Sequence, residues 1–277
     1  MSPISRRMPT PQAMIFTVLG MYCLDDNPKI PTSVYLRVLE KLDIGEHTTR
    51  TTLTRMRERG YLKRVRRGRE VLWYASETGL AIVRRQRRLT FEERSVLPDP
   101  DGVWTVVSFS FPEVRRRDRD ILRQRLAWEG FGTLRDGVWI SPGERDMSDI
   151  LSGKEFSIKG YVDVFVGHPR YADMSNMIAR AWQLPTLIER YRAFLSEWEE
   201  PSRAPSAADA LGINILLITD WRQLARETPL LSRKYLPENW PAHQAMQVFQ
   251  RLQQRYASEA GLIFYKLLAE SRDDRKV

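Results

Sequence analysis

The sequence predicts a multidomain α+β protein whose domains follow one another along the chain. At 277 residues, the chain exceeds the usual size of a single domain and should divide into two or three compact units. Its hydrophobic pattern changes twice, from helices with a hairpin, to strands that alternate with helices, and then to helices alone. We therefore expect an N-terminal domain at 1–98, an α+β middle domain at 99–182 and a helical C-terminal domain at 183–277.

The charge of the chain is also divided at the first of these boundaries. Residues 1–98 hold 19 Lys and Arg against 10 Asp and Glu, whereas residues 99–277 hold 25 of each kind. The whole formal net charge of +9 therefore lies in the first domain. A charge that served only solubility would be spread over the chain, so this segregation indicates a nucleic-acid-binding module joined to a neutral remainder.

The first domain is predicted to begin with three helices. Pro11 opens a segment whose apolar residues recur with helical spacing and which the sequence DDNP ends. A second helix is expected between Pro31 and Gly45, and a third, after a very short turn, ends at Gly60. Two β-rich runs around a glycine-containing turn then predict a hairpin, and a helix capped by Ser76 follows. This order predicts a winged helix-turn-helix.

The middle domain follows a boundary rich in Pro and Gly near 96–102. The run VWTVVSFSF predicts a buried strand, after which a helix, the strand DGVWISP, a short helix and the strand YVDVFVG are expected. From Tyr171 the pattern becomes helical, and beyond a connector at 199–210 long helices are expected around 209–227 and 241–270. The middle pattern predicts a small α+β sandwich.

The third helix has the two faces that a DNA recognition helix needs. Leu53 and Met56 share a face with Thr49 and should pack against the first two helices. The rest of the helix carries hydroxyl, imidazole and guanidinium groups, which can hydrogen-bond to base edges and phosphates in the major groove. These candidate DNA-binding residues are His47, Thr48, Arg50, Thr51, Thr54 and Arg55. A charged face that meets only solvent is the alternative interpretation.

The predicted hairpin adds positive charge directly after that helix. The candidate DNA-binding residues of its tip are Arg66, Arg67 and Arg69, which surround Gly68. Such a tip is well placed to reach phosphates or the neighbouring minor groove. The helix order, the short turn and the basic hairpin together make double-stranded DNA the expected partner.

The sequence shows no recognisable catalytic, cofactor or metal-binding pattern. His47, His168 and His243 lie in different predicted elements, and the single cysteine, Cys23, is interpreted as a small core residue. The run EGFGTLRDGVW lacks the third glycine of a nucleotide-binding loop, so it is interpreted as a helix end and a tight turn. We therefore expect no metal, no cofactor and no enzymatic activity.

Signals for export or membrane attachment are also missing from the sequence pattern. The N-terminal stretch MSPISRRMPTPQAMIF has no extended apolar core and no small-residue cleavage site. We find no lipidation motif and no long uninterrupted apolar run. These observations predict a cytoplasmic protein without a membrane partner.

Several motifs resemble, in the same order along the chain, the PaaX-like regulators, a family of phenylacetic-acid degradation repressors. The similar stretches are TRTTLTRMRERGYL, RRGREVLWYASETG, RLAWEGFGTLRDGVWISP, AWQLPTLIERYRAFLSEW and YLPENWPAHQA. The resemblance implies a homodimeric repressor that binds a palindromic operator and is released by an aromatic acyl-CoA, typically phenylacetyl-CoA. It also implies a ferredoxin-like fold for the middle domain. The family's recognition positions fall on Thr48, Arg50, Thr51 and Arg55, and its wing falls on Arg66 to Arg69.

Two C-terminal motifs depart from the family's pattern. In LITDWR, Thr219 stands where the family usually has a histidine. In TPLLS, Thr228 and Ser232 replace residues of the usual Asp-Pro-x-Leu-Pro motif. We therefore expect phenylacetyl-CoA to be a weaker effector here than in typical members, or to be replaced by another acyl thioester.

The effector site is expected in a cleft between the middle and C-terminal domains. Its candidate ligand-binding residues are Trp139, Trp182, Trp221, Arg222 and Trp240. The indole rings would form an apolar wall for the acyl group, and the arginine would meet an anionic part of the ligand. Packing at the domain junction is the alternative interpretation for each of these residues.

Two other classes of function compete with a ligand-responsive repressor. A metal-dependent nuclease that used the middle domain would need a carboxylate near the end of its first strand, but WTVVSFSFP supplies none before Glu113. An architectural nucleic-acid-binding protein without ligand control would show weak sequence preference and no effector response. DNA cleavage and sequence preference therefore separate the three hypotheses.

Overall fold

The computed structural model describes residues 9–68, 70–91, 102–152, 160–170, 173–199, 209–229 and 231–273. Its contacts divide the chain into two compact units. The first comprises Met1–Glu92, Tyr191–Ala225 and Ala242–Val277, and the second comprises Glu93–Arg190 and Arg226–Pro241. The mixed α+β class predicted from the sequence is confirmed. The contacts group the chain differently from the three consecutive domains expected at 1–98, 99–182 and 183–277, because the C-terminal part contributes to both units.

The N-terminal part of the first unit contains helices and a small antiparallel sheet. Its elements are α1 (Pro11–Tyr22), β1 (Ile30–Pro31), α2 (Thr32–Glu40), α3 (Glu46–Glu58), β2 (Leu62–Arg67), β3 (Glu70–Ala75) and α4 (Glu77–Phe91). The strands are ordered β1-β3-β2. The helices and the β2–β3 hairpin lie where the sequence predicts them, and only the short strand β1 was not expected.

Local signals explain where these helices begin and end. Thr10 caps α1, because its side-chain oxygen accepts a hydrogen bond from the backbone N–H of Ala13 at 3.3 Å. Gly60 follows α3 with a φ of +74°, the left-handed conformation that ends many helices. The predicted cap at Ser76 is confirmed, since its Oγ accepts from the backbone N–H of Gly79 at 3.0 Å.

The second unit contains an antiparallel sheet with a helix packed on each face. Its elements are β4 (Trp104–Phe109), α5 (Arg116–Trp128), β5 (Gly132–Arg135), β6 (Val138–Pro142), α6 (Ser148–Leu151), β7 (Val162–Gly167) and α7 (Met174–Ala181). A short 3-10 helix, Glu113–Arg115, precedes α5. The strands are ordered β5-β6-β4-β7, and each neighbouring pair is antiparallel. Strand β5 was not expected from the sequence.

Alternating side chains of this sheet form two separate cores. Val107 and Trp139 pack in one buried cluster with Leu122 of α5. Trp104 and Ile140 pack in the other with residues of α7. Because neighbouring residues of a strand point to opposite faces, both faces of the sheet are covered by apolar side chains.

Three longer helices complete the described chain. They are α8 (Leu184–Trp198), α9 (Ala210–Glu227) and α10 (Ala242–Asp273). In the first unit, residues of α9 and α10 pack against α1, where the ring of Tyr22 stacks on Phe264 with centroids 4.6 Å apart. The N-terminal segment therefore shares one core with C-terminal helices.

Candidate nucleic-acid interface and ligand cavity

The inner face of α3 is held in the core of the first unit. Thr49, Leu53 and Met56 are completely buried, as the sequence predicted for this stripe. The Oγ1 of Thr49 donates a hydrogen bond to the carbonyl of Gly45 at 3.2 Å, which satisfies the hydroxyl group inside the core. The buried stripe fixes the rotation of α3 about its axis and therefore decides which side chains face outward.

The outer face of α3 carries the candidate DNA-binding residues. His47, Thr48, Arg50 and Arg55 are exposed, and Thr51 and Thr54 are half-buried. The hydroxyl of Thr52 donates to the carbonyl of Thr48 at 2.7 Å. The outer face thus presents a ring nitrogen, hydroxyl groups and guanidinium groups on a rigid helix.

One residue of this face already has an acidic partner. The Nε of Arg50 lies 2.7 Å from Oε1 of Glu46, four residues earlier on α3, and both side chains are more than half exposed. An exposed pair of this kind contributes at most about 1 kcal/mol, so a phosphate or a guanine can compete for the guanidinium group. The pair therefore leaves Arg50 available to DNA at a small cost.

The hairpin after α3 presents a row of cationic side chains. Lys63, Arg64, Arg66 and Arg67 of β2 are exposed, and β2 is an edge strand of its sheet. Charged side chains on an edge strand discourage pairing with another strand and leave the cations accessible. At the tip, Nε of Arg66 donates to the carbonyl of Gly68 at 3.1 Å. The predicted wing residue Arg69 lies outside the described residues.

Two residues of α9 form buried hydrogen bonds with α1. The sequence did not predict these contacts. The Nδ2 of Asn214 donates to the hydroxyl of Tyr22 at 3.1 Å in a buried hydrogen bond. Burial raises the pKa of Tyr22 to about 12, although the bond with Asn214 acts in the opposite direction. Thr219, which stands where the family usually has a histidine, has its Oγ1 2.7 Å from that of Thr17. The long separations of these pairs in the sequence explain why no local pattern could find them.

A cavity of about 380 Å³ lies within the second unit, beside β5 and the C-terminal end of α5. It contains two of the five candidate ligand-binding residues, Trp139 and Trp182. The other lining residues are Gln124, Ala127, Trp128, Gly130, Phe131, Thr133, Ala181, Gln183, Thr186, Leu187, Arg190, Arg226, Glu227, Thr228 and Pro229. Aromatic side chains thus line a cavity whose charged groups come from α8 and α9.

The position of Trp182 in the cavity wall depends on a glycine. A Cβ atom at Gly132 would lie 2.7 Å from atoms of the Trp182 ring, which is closer than packed atoms can approach. The Nε1 of Trp182 also donates to the carbonyl of Gly130 at 3.1 Å. Gly132 therefore leaves room for the indole ring, and the backbone carbonyl of Gly130 accepts the hydrogen bond from its Nε1.

The remaining three candidate ligand-binding residues lie elsewhere. Trp221 belongs to the first unit, where it stacks on Phe249 at 4.9 Å and its Nε1 donates to the carbonyl of Thr90 at 3.3 Å. Arg222, in the same unit, donates to the carbonyl of Ala13 at 2.8 Å and to Oε1 of Gln86 at 3.0 Å. Trp240 packs against the apolar cluster of the second unit that contains Trp104 and Ile140.

The described residues offer little for metal chemistry. No group of three or more His, Cys, Asp or Glu side chains among them is placed to hold a metal ion. The thiol of Cys23 is buried, and burial raises its pKa far above the usual range. None of the described helices is long and apolar enough to span a bilayer.

Comparisons with known families match three consecutive parts of the chain. The family described as "PaaX-like protein" matches residues 10–79. "PaaX protein central Cas2-like domain" matches 98–179, and "PaaX-like protein C-terminal domain" matches 182–266. The three matches follow one another in order along most of the chain.

A named protein and a solved structure are each similar to much of this chain. The transcriptional repressor PaaX of Escherichia coli (strain K12) is 28% identical over 237 residues, which cover 80% of this chain and 73% of that protein. The structure of an uncharacterized protein from Mycobacterium tuberculosis is similar in fold, with a TM-score of 0.58 and 19% identity over 94% of this chain and 100% of that chain. With all three of the family's segments present, the chain belongs to the PaaX-like protein family.

Proposed function

We propose that the protein is a transcriptional repressor that recognises double-stranded DNA with α3 and the β2–β3 hairpin of a winged helix-turn-helix. The observation that carries the proposal is the division of α3, whose Thr49, Leu53 and Met56 are completely buried while Arg50 and Arg55 are exposed. A helix held in this way can present hydrogen-bonding groups to base edges without losing its orientation. The concentration of positive charge in residues 1–98 and the name of the Escherichia coli relative support the same function.

The proposal is tested by selecting duplexes from a random pool with the full chain. A repressor of this kind is expected to recover a defined sequence motif, because base-edge contacts discriminate between base pairs by about 1–3 kcal/mol each. Recovery of unrelated sequences with equal affinity would instead support an architectural protein, and cleavage of the pool in the presence of Mg²⁺ or Mn²⁺ would support a nuclease.

We further propose that the chain binds DNA as a homodimer on an inverted repeat. A single recognition helix covers only a few base pairs, and two copies related by a two-fold axis read two half-sites. Footprinting on the selected duplex should show two protected half-sites, separated by about one helical turn or a multiple of it. One protected half-site, occupied by one chain, would contradict the dimer.

An aromatic acyl-CoA such as phenylacetyl-CoA is the effector that we propose. The family resemblance supports this class, and Trp139 and Trp182 supply aromatic surface in the cavity of the second unit. An effector releases DNA only if it binds the DNA-free form more tightly, and DNA must then weaken effector binding by the same factor. Titration of a panel of acyl-CoAs into free and DNA-bound protein should show this reciprocity, and equal binding to both forms would contradict release.

A nuclease function has no comparable support in the second unit. Glu113, the first carboxylate after β4, lies with its carboxylate oxygens 3.5 Å from Nη2 of Arg119 and 3.9 Å from Nη1 of Arg116. A carboxylate placed beside two guanidinium groups is a poor ligand for a catalytic cation, because their charges repel the ion. We therefore propose a regulator without enzymatic activity.

A further inference from the structure

We propose that one face of α4 is a second DNA-contacting surface, which binds the phosphate backbone of the duplex beside the sequence read by α3. This inference rests on the proposed function, but it adds a surface that lies outside both the recognition helix and the hairpin. The surface consists of Arg84 and Arg88, which we call the α4 arginines. Both side chains are exposed, and both belong to the first unit.

The rotation of α4 about its axis is fixed by its packing in the first unit. Val83 is buried against α1, where a Cβ atom at Gly20 would lie 3.3 Å from its Cγ1. Thr90, seven residues later on the same side of α4, is buried as well. Arg84 and Arg88 lie outside this buried stripe and share one exposed face. The packing therefore holds both arginines toward the surrounding medium.

The beginning of α4 lies against the backbone that joins α3 to the hairpin. The backbone N–H of Ser76, which caps α4, donates to the carbonyl of Tyr61 at 3.0 Å. A Cβ atom at Gly79 would lie 2.1 Å from the same carbonyl oxygen, so only glycine permits this close approach. Because Tyr61 lies between the end of α3 and the start of β2, α4 begins directly beside both elements that are proposed to bind DNA.

The α4 arginines have no acidic partner in the part of the chain that the structure describes. Helix α4 contains four arginines and a single carboxylate, that of Glu77 in its first turn. The arginines of α5 are arranged differently, since Arg116 lies 3.9 Å from Glu113 and 4.0 Å from Asp120. Exposed guanidinium groups that the described residues leave unneutralised favour a polyanion as their partner.

The spacing of the α4 arginines fits a phosphate backbone. Arg84 and Arg88 are four residues apart, which is about 6 Å along the helix axis. Each strand of a duplex carries one phosphate per about 3.4 Å, so both guanidinium groups can contact one stretch of backbone. Arg88 lies in the last turn, where a cation also interacts favourably with the helix dipole, but Arg84 lies one turn earlier and has no such role. Because phosphate contacts carry no sequence information, this surface can bind DNA outside the recognised motif.

Affinity for duplexes of two lengths tests this contact. The core duplex contains only the selected motif, and the extended duplex adds one helical turn, about 10 base pairs, of scrambled sequence at each end. Fluorescence anisotropy with the full chain gives the ratio of the two dissociation constants, which we call the flank gain. We expect a wild-type flank gain of about fivefold or more. The slope of log affinity against log salt should also be steeper on the extended duplex, by about 0.9 for each added phosphate contact.

Replacing the α4 arginines separates the effect of their charge from an effect on the fold. Arg84→Gln with Arg88→Gln should reduce the flank gain to less than about twofold and change affinity for the core duplex by less than about twofold. Arg84→Lys with Arg88→Lys should retain most of the flank gain, because a phosphate contact needs the charge rather than the guanidinium fork. Arg116→Gln with Arg117→Gln, which removes two exposed arginines of α5, should leave the flank gain unchanged.

The α4 contact and the proposed function fail in distinguishable ways. If the chain prefers its selected motif but shows no flank gain, or if the double glutamine variant of α4 keeps the gain, the α4 contact is contradicted and the proposed function stands. Equal losses on the core and extended duplexes would also contradict a contact with flanking DNA. If selected and scrambled sequences bind equally well but the flank gain depends on the α4 arginines, the α4 contact stands and sequence-specific recognition by α3 is contradicted.

Discussion

Arg50 and Arg55 are the side chains of α3 best suited to read bases, because a guanidinium group can donate two parallel hydrogen bonds to guanine. Both are exposed and lie outside the buried stripe of Thr49, Leu53 and Met56, with Arg50 at the edge of the outer face. The sequence alone predicted this division, since the stripe follows directly from helical periodicity. The ion pair between Arg50 and Glu46 was not predicted, because a spacing of four residues permits the pair but does not require it.

Replacing either arginine should relax sequence preference at particular base pairs. We expect Arg50→Ala and Arg55→Ala each to cost about 1–3 kcal/mol on the selected duplex and much less on a scrambled duplex. Arg37→Ala is the control, because Arg37 lies on α2 and pairs with Glu270 at 2.8 Å. Binding assays on both duplexes measure the effect, and an unchanged preference in both α3 variants would exclude α3 from base recognition.

The reactivity of the Cys23 thiol reports how often the core around α1 opens. Its thiol is buried and its pKa is raised, so the reactive thiolate is scarce near neutral pH. We expect a thiol reagent at pH 8 to modify Cys23 at least about a hundredfold more slowly in the folded chain than in denaturant. Rapid modification of the folded chain would show that the core around α1 opens readily.

At the scale of elements, the hairpin and α3 should contribute to DNA binding in different ways. Phosphate contacts release counterions and carry no sequence information, so the hairpin should affect all duplexes alike. Replacing Arg66, Arg67 and Arg69 by Ala should lower the slope of log affinity against log salt by about 0.9 for each lost phosphate contact. Arg116→Ala with Arg117→Ala, exposed residues of α5, is the control, and an unchanged slope in the hairpin variant would remove it from the interface.

The elements that the sequence predicted have residues that mark where they begin and end. The strands that it did not predict form only by pairing with a neighbouring strand. Helices α1 and α3 are marked by Thr10, Pro11 and Gly60, and the hairpin by two β-rich runs around Gly68. Strand β5 has only four residues, and its pairing with β6 is interrupted by an irregularity. Such a strand forms because β6 supplies the hydrogen-bonding partner. The local sequence pattern does not reveal this pairing.

At the scale of the whole molecule, the N-terminal segment shares its core with helices from the other end of the chain. Tyr22 bonds to Asn214 and stacks on Phe264, and Thr17 contacts Thr219. The domain boundary expected at residue 98 follows from local charge and motifs, whereas burial that is shared with distant helices is not visible in a linear pattern. The sequence pattern likewise predicts that Trp139 and Trp221 are buried, but it does not show which apolar cluster each of them joins.

A fragment of residues 1–98 should therefore be much less stable than the full chain. The fragment loses the buried partners of Thr17 and Tyr22, and exposing several large apolar side chains costs about 1.5–3 kcal/mol for each. Thermal unfolding of the two proteins, followed by circular dichroism, measures the difference. Equal melting temperatures would show that the C-terminal helices do not support the N-terminal segment.

The most direct test of sequence-specific repression is the ratio of two dissociation constants measured at one salt concentration. Fluorescence anisotropy gives the affinity of the full chain for its selected duplex and for a scrambled duplex of the same length and composition. The proposed function predicts a preference of about a thousandfold or more for the selected duplex, reduced by Arg50→Ala or Arg55→Ala. A ratio near one for the wild-type chain would contradict sequence-specific recognition by α3.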